Sequence, residues 1–215
     1  MVMIGLGNPG PEYEQTRHNA GFLVLEAARR RWRGPSWKGR GCYQETEVRF
    51  AGQIRQLVRP LTFMNCSGEA VRQLLKEGAA PDELLVVLDD VDLPLGRLRI
   101  RAAGGAGGHN GLQSILDELA PSSVARLRIG VGRPDSGEAS MVDHVLAGFC
   151  ADEAERFERV LDRALEAMQV LWRQGVTAAM NRFNGLPAPW DERPAKAGPD
   201  GLGKKTSDEV PKEGN

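Results

Sequence analysis

The chain has 215 residues, room for one sizeable core and short for two. It carries 28 basic and 29 acidic residues, a formal charge of -1, which argues against a protein that coats nucleic acid broadly. No run of 18 apolar residues occurs, so no membrane span is expected, and residues 1–6 lack the charged start and long apolar stretch of a signal peptide.

Residues 1–6 are a short apolar run that stops at Gly7, Asn8, Pro9 and Gly10; they predict a buried strand entering a loop. Residues 19–32 predict a helix, apolar at Phe22, Leu23, Leu25 and Ala28 and basic at Arg29, Arg30 and Arg31. Residues 42–50 and 53–59 alternate around Ala51 and Gly52, which predicts a hairpin. Ser67 is placed to cap a helix over 68–77. Residues 84–88 are large aliphatics throughout, the pattern of a strand buried on both faces. Residues 97–101 alternate as a half-buried strand, a glycine-rich loop at 104–108 leads to a short helix near 111–119, and 125–131 form another strand. His144, in VDHVL, reads as a residue on a strand face. An apolar stripe from Phe157 to Trp172 predicts a long amphipathic helix over 152–173, placed to cover the site, with a further helical segment near 176–183.

Strands alternating with helices place the body, residues 1–186, in the α/β class as one domain with a mixed sheet. Residues 187–215 hold five prolines and eleven charged residues, with little apolar surface to repay ordering; they are expected to be a disordered polar tail. The cysteines, Cys42, Cys66 and Cys150, are odd in number and far apart, which suggests free thiols and a reducing, cytoplasmic location. The three histidines show no metal-ligand spacing, so no zinc site is expected.

Glycine is over-represented, 26 residues, about 12% against a usual ~7%. Gly5, Gly7 and Gly10 match the spacing of a dinucleotide fingerprint, but Pro9 and Pro11 flank the third glycine, where a helix must begin. A dinucleotide enzyme is therefore only an alternative, and saturable NAD binding would reveal it. The cluster at 104–111 has no Gly-Lys-Ser/Thr and is not a nucleotide P-loop.

Sites in open α/β sheets form beyond the C-terminal strand ends. Provided the strands run parallel there, the loops bring together Asn8 and His18, then Phe63, Met64 and Asn65, then Asp89, Asp90 and Asp92, then His109 and Asn110. Each has an ordinary reading as well. Asn8 before Pro9 is a turn former, His109 a helix starter, and Phe63 and Met64 are core-type residues. Together they offer a histidine base, a carboxylate partner and several neutral amides. That set suits hydrolysis of an activated ester or amide, with His18 as base, Asp89 as its partner and water as nucleophile.

The blocks GLGNPGPEYEQTRHNAGF (5–22), RPLTFMNCSGEAV (59–71), VVLDDVDLPLGRLRIR (86–101), GGAGGHNGLQSI (104–115) and RLRIGVGRP (126–134) resemble, in order and spacing, the bacterial-type peptidyl-tRNA hydrolases. The resemblance covers roughly residues 1–184. It implies a three-layer α/β domain around a mixed twisted sheet, working as a monomer without metal or cofactor. It also implies hydrolysis of the ester that joins a peptide to the 3′ end of tRNA dropped from ribosomes. His18 matches the catalytic base, Asp89 the aspartate that keeps it basic, and Asn8 the residue that distinguishes N-blocked from free aminoacyl-tRNA. Tyr13, Phe63, Asn65 and Asn110 match positions that contact peptide or terminal nucleotide, and Met64 a neighbouring cleft residue. Arg101 and Arg128 match the positions that hold the 5′-phosphate of the acceptor stem. Leu88 stands where many members have histidine, and Ala106 where a larger or polar residue is common. A non-catalytic RNA-binding branch of the family is the rival reading.

The near-neutral average hides a segregation. Between residues 95 and 133 there are six arginines, at 97, 99, 101, 126, 128 and 133, against Asp117 and Glu118. Arginine suits bidentate phosphate contact, so this stretch fits a grip on one phosphate-rich end of a tRNA.

Overall fold

The computed structural model describes residues 1–134 and 140–191. Seven strands form one sheet: β1 (Val2–Gly5), β2 (Lys38–Arg40), β3 (Tyr43–Phe50), β4 (Gln53–Pro60), β5 (Leu84–Asp90), β6 (Leu98–Arg101) and β7 (Ala125–Gly130), in the order β2-β3-β4-β1-β5-β7-β6. The central strands β4, β1, β5 and β7 are parallel, while β2 and β3 on one side and β6 on the other run antiparallel to their neighbours. The sheet is therefore mixed, as the hairpin predicts.

Helices α1 (Ala20–Arg31) and α5 (Ala151–Phe183) cover one face, and α2 (Gly68–Lys76) and α3 (Asn110–Leu119) the other. Strand β5 shows why the order is stable. Its seven residues are all buried, with Leu85 and Val87 entering the core under α1 and α5 and Leu84, Val86 and Leu88 the core under α2 and α3. Each such side chain contributes about 1.5–3 kcal/mol on burial. The chain belongs to the three-layer α/β class.

Five local expectations need correction. Ser67 has helical backbone angles and does not cap α2; its hydroxyl donates to the Met64 carbonyl, and the Gly68 amide instead donates to Ser114 Oγ at 2.9 Å. The edge strand β2 was not expected, because Lys38, Gly39 and Arg40 are exposed and carry no apolar signal. His144 lies on a six-residue helix, α4 (Met141–Leu146), not a strand. Residues 187–191, expected to begin the tail, pack on the body: Ala188 is buried and Trp190 lies against the main core. The remainder of that segment, 192–215, lies outside the described residues.

The fifth concerns direction. Because β6 is antiparallel to β7, Arg101 sits level with Arg126, at the N-terminal end of β7. The glycine-rich segment after β6 therefore starts at the wrong end of the sheet for the assumed convergence. It runs back along β7 as a strap, using left-handed φ angles at Gly104, Gly107 and Gly108, before α3 begins. Arg126 holds it on the way, donating from Nη1 to the Gly104 carbonyl at 2.7 Å.

Helix α5 is broken at Gly175, whose φ is 81°, so the two helical segments expected there are distinct. None of the described helices is long and apolar enough to cross a membrane.

Candidate active site

His18 sits on a 3-10 turn, Arg17–Asn19, that feeds directly into α1. The turn is pressed against the strand ends because Gly21 touches them: a Cβ there would collide with the Val87 carbonyl and the Leu6 backbone. His18 Nδ1 is 3.0 and 3.1 Å from the two oxygens of Asp89, the penultimate residue of β5. An ionised carboxylate only accepts, so Nδ1 carries the proton and Nε2 keeps its lone pair.

Asp89 has a second imidazole partner. His109 Nε2 lies 3.0 Å from Asp89 Oδ1, while His109 Nδ1 accepts the Leu112 amide and so caps α3. That acceptor role puts the His109 proton on Nε2, pointing at the carboxylate. The two rings are 5.0 Å apart. Burial pushes the Asp89 carboxyl up, but the two histidines outweigh it and hold it at about 2, below its ordinary 3.8. The carboxylate stays ionised behind the base. His18, Asp89 and His109 are also a group of metal-ligating type, and within it the facing nitrogen and oxygen atoms are hydrogen-bonded to one another.

Asn8 is fixed by three hydrogen bonds. Its backbone amide donates to Asn19 Oδ1 at 2.8 Å, its carbonyl accepts from Asn19 Nδ2 at 3.0 Å, and its Oδ1 accepts the Met64 amide at 2.8 Å. Its Nδ2 makes no hydrogen bond among the described residues. A cavity of about 490 Å³ opens here. Asn8, His18, Phe63, Met64, Asn65, Asp89, His109 and Asn110 all line it. Phe63 is 61% exposed, an unusual position for an aromatic side chain that could have been core. The opposite wall is α4, through Met141, Val142, Val145 and Leu146; no residue of α5 lines the cavity, so α4 and not the long helix covers it.

A second recess, about 220 Å³, adjoins it at the sheet edge, lined by Arg101, Arg126, Arg128 and the start of the strap. Arg101 is exposed, Arg126 is buried and Arg128 pairs with Asp90 at 2.8 Å. Burial, helped by the neighbouring Arg128, lowers the Arg126 pKa; burial likewise raises that of Asp90 against the pull of Arg128. Arg128 lines both recesses and joins them.

Of the site residues that the resemblance assigns, Tyr13 alone lines neither recess; it is half-buried on the 3-10 turn Pro11–Tyr13, and of the six arginines between 95 and 133 only Arg101, Arg126 and Arg128 line one. Three contributors were not identified as such. Asn19 was inside the quoted RHN block but was read only as helix start. Arg126 stands among the arginines expected to grip phosphate, yet it is buried and braces the strap. The α4 side chains gave no helical signal in six residues.

An ionised carboxylate behind an imidazole whose free nitrogen is available to water, set over the strand ends of a mixed sheet, defines a hydrolase of the water-activating kind. The sequence model of the family described as "Peptidyl-tRNA hydrolase" matches residues 2–191. A protein named peptidyl-tRNA hydrolase from Synechococcus sp. (strain JA-2-3B'a(2-13)) is 49% identical over 192 residues, covering 86% of this chain and 83% of that protein. One of the same name from Symbiobacterium thermophilum is 45% identical over 186 residues, covering 85% and 98%. The crystal structure of peptidyl-tRNA hydrolase from Acinetobacter baumannii superposes with a TM-score of 0.78 at 36% identity, covering 86% of this chain and 94% of that one. The chain belongs to the peptidyl-tRNA hydrolase family.

Proposed function

We propose that the protein hydrolyses the ester between a peptide and the 3′ end of tRNA, with His18 as the general base. The observation that carries this is the His18–Asp89 pairing at 3.0 and 3.1 Å, which leaves Nε2 as the proton acceptor beside an open cavity.

In the reaction, Nε2 takes a proton from water as its oxygen attacks the ester carbonyl. Negative charge develops on the carbonyl oxygen, and the amides of Asn65 and Asn110 are the neutral donors lining the cavity to receive it. The imidazolium then returns the proton to the departing ribose oxygen. Products are a free peptide carboxyl and a free tRNA hydroxyl. Asp89 holds the tautomer and balances the imidazolium without itself taking the proton.

Asn8 discriminates by what it has left to offer. Its Oδ1 is spent on Met64, so its remaining group is a donor that reads an acceptor. A peptide bond next to the ester supplies a carbonyl acceptor; a free aminoacyl ester presents only an ammonium there. Phe63, with its exposed face, is a platform for the terminal base. Met64 shapes the floor and Tyr13 contacts the substrate from the rim. Arg101 and Arg128 take the 5′-phosphate at the acceptor end. The protein works as a monomer in the cytoplasm; the unpaired state of Cys42, Cys66 and Cys150 supports a reducing compartment.

The test is deacylation of N-acetyl-aminoacyl-tRNA, with free aminoacyl-tRNA as control. Wild type should cleave the first and spare the second, and His18→Ala should lose at least about 10³-fold in turnover. Near-wild-type turnover in His18→Ala, or no turnover in wild type, would sink the reading.

A further inference from the structure

Helix α4 forms one wall of the cleft, yet none of its residues is buried. A helix of six residues has too few internal hydrogen bonds to stand alone in water. Ser140 and Asp143 cap its start reciprocally, which shapes the first turn but does not attach it to the body. Attachment comes from polar tethers. One is the His144 Nε2 contact to the Gly132 carbonyl at 3.0 Å. The others converge on Arg17.

Arg17 is 7% exposed and immediately precedes His18. Its backbone amide donates to the Ala147 carbonyl at 3.1 Å. Its Nη1 donates to the Gly148 carbonyl and its Nη2 to Glu153 Oε2, each at 2.5 Å. The guanidinium lies over the Phe149 ring, 5.1 Å from its centre, and Phe149 stacks on Phe157 of α5. Thr16 and Gly148 form an isolated antiparallel bridge beside it. Glu153 also accepts the Cys150 amide at 2.9 Å, so one carboxylate both starts α5 and holds the arginine. Among the described residues, every hydrogen bond and ring contact of the arginine outside its own turn falls on residues 147–153, the segment that leaves α4 and enters α5.

We propose that Arg17 is a positioning residue that locks the α4 wall of the cleft against the turn carrying His18. The guanidinium fork can grip a carbonyl and a carboxylate at once, which a point charge cannot. A strut of this kind fixes the distance between the base and the apolar wall facing it, so it governs how well substrate is held. It does not touch the His18–Asp89 pair, so it leaves the proton chemistry alone.

The inference rests on the hydrolase reading for its kinetic half only. Arg17→Ala is expected to raise KM for N-acetyl-aminoacyl-tRNA by about tenfold while kcat falls by no more than about threefold, with the acidic limb of the pH–rate profile unmoved. Amide hydrogen exchange in α4 and at Ala147 should speed up at least about tenfold, with the middle of α5 unaffected. Arg17→Lys should fall between the two in both readouts. An unchanged KM with unchanged exchange overturns the proposal. So does a collapse of kcat with a displaced acidic limb, which would place Arg17 in the proton transfer itself. If Arg17→Ala does not fold, Arg17→Lys decides by the same two measurements. Inactive wild type would refute the hydrolase reading instead, and the exchange rates would still decide on Arg17.

Discussion

Replacing Asp89 by asparagine removes one charge and keeps the shape. The change is felt at two imidazoles, because Asp89 Oδ1 serves His18 and His109 and Oδ2 also lies near His18. In the variant an amide oxygen in the Oδ1 place still accepts from both rings, but as a neutral acceptor and with the NH2 group facing His18 from the Oδ2 place; the opposite orientation leaves His109 facing NH2 without an acceptor. A hydrogen bond to a charged group contributes about 1.5–3 kcal/mol and a neutral one about 1. Loss at the ring that becomes imidazolium in the transition state, together with the disturbed neighbour, comes to roughly 2–4 kcal/mol. That is about 30-fold to 1000-fold in kcat/KM. The acidic limb of the pH–rate profile should shift, since the negative charge behind the base is gone. Wild type carries a matching stability signature. The Asp89 carboxyl is held at about 2 in the fold against an ordinary 3.8, so its contribution, of order 2 kcal/mol, is complete above about pH 4 and is lost as pH falls through 2. The assay is N-acetyl-aminoacyl-tRNA deacylation from pH 5 to 9 at subsaturating substrate, with urea melts at pH 2–5 alongside. A rate within about threefold of wild type and an unmoved limb would refute the role of Asp89 as partner of the base.

Two further outcomes are expected. Removing Arg101 and Arg128 together, as glutamines, should weaken tRNA binding and flatten its dependence on log salt by about two in slope, one per lost phosphate contact; equal loss on a short ester substrate that lacks the acceptor 5′-phosphate would refute the assignment. Gly21→Ala should cost about 1–3 kcal/mol, several degrees in Tm, because its methyl would strike backbone atoms of Leu6 and Val87 that cannot rotate away. An unchanged melting curve would show that the turn is not pressed on the strand ends.

Residues 18 and 89 were legible as partners although 71 positions separate them. Each follows or ends a strand whose apolar run is unambiguous, and parallel strands deliver their C-terminal loops to one side. The same logic gave a right answer for a wrong reason at His109. It assumed that 97–101 pointed toward the site, whereas β6 points away and the strap carries His109 back. Strand direction depends on pairing partners, which no local pattern in RLRIR encodes. Local patterns also failed at α4, where six residues span less than two helical turns, too few for the apolar positions of MVDHVL to fix a period. The Ser67 cap failed because the preceding 3-10 turn, Met64–Cys66, already set helical angles there, leaving Ser114 across the α2–α3 contact to do the work. That partner lies 46 residues away and is invisible to any short window.

The antiparallel course of β6 gives the strap a second role, as a ruler. Its first end lies beside the arginine recess and its last residues, His109 and Asn110, line the ester cavity. Between those ends it travels along β7 from the level of Arg126 to that of Ile129, which pairs with Asp89, the partner of His109, about 10 Å at ~3.3 Å per residue. On the contacts proposed above, a tRNA held by its 5′-phosphate at one end and its 3′ ester at the other would be measured against a fixed length of protein. The enzyme would recognise its substrate by the spacing of two termini, which every tRNA shares, and would have no need to read a base sequence.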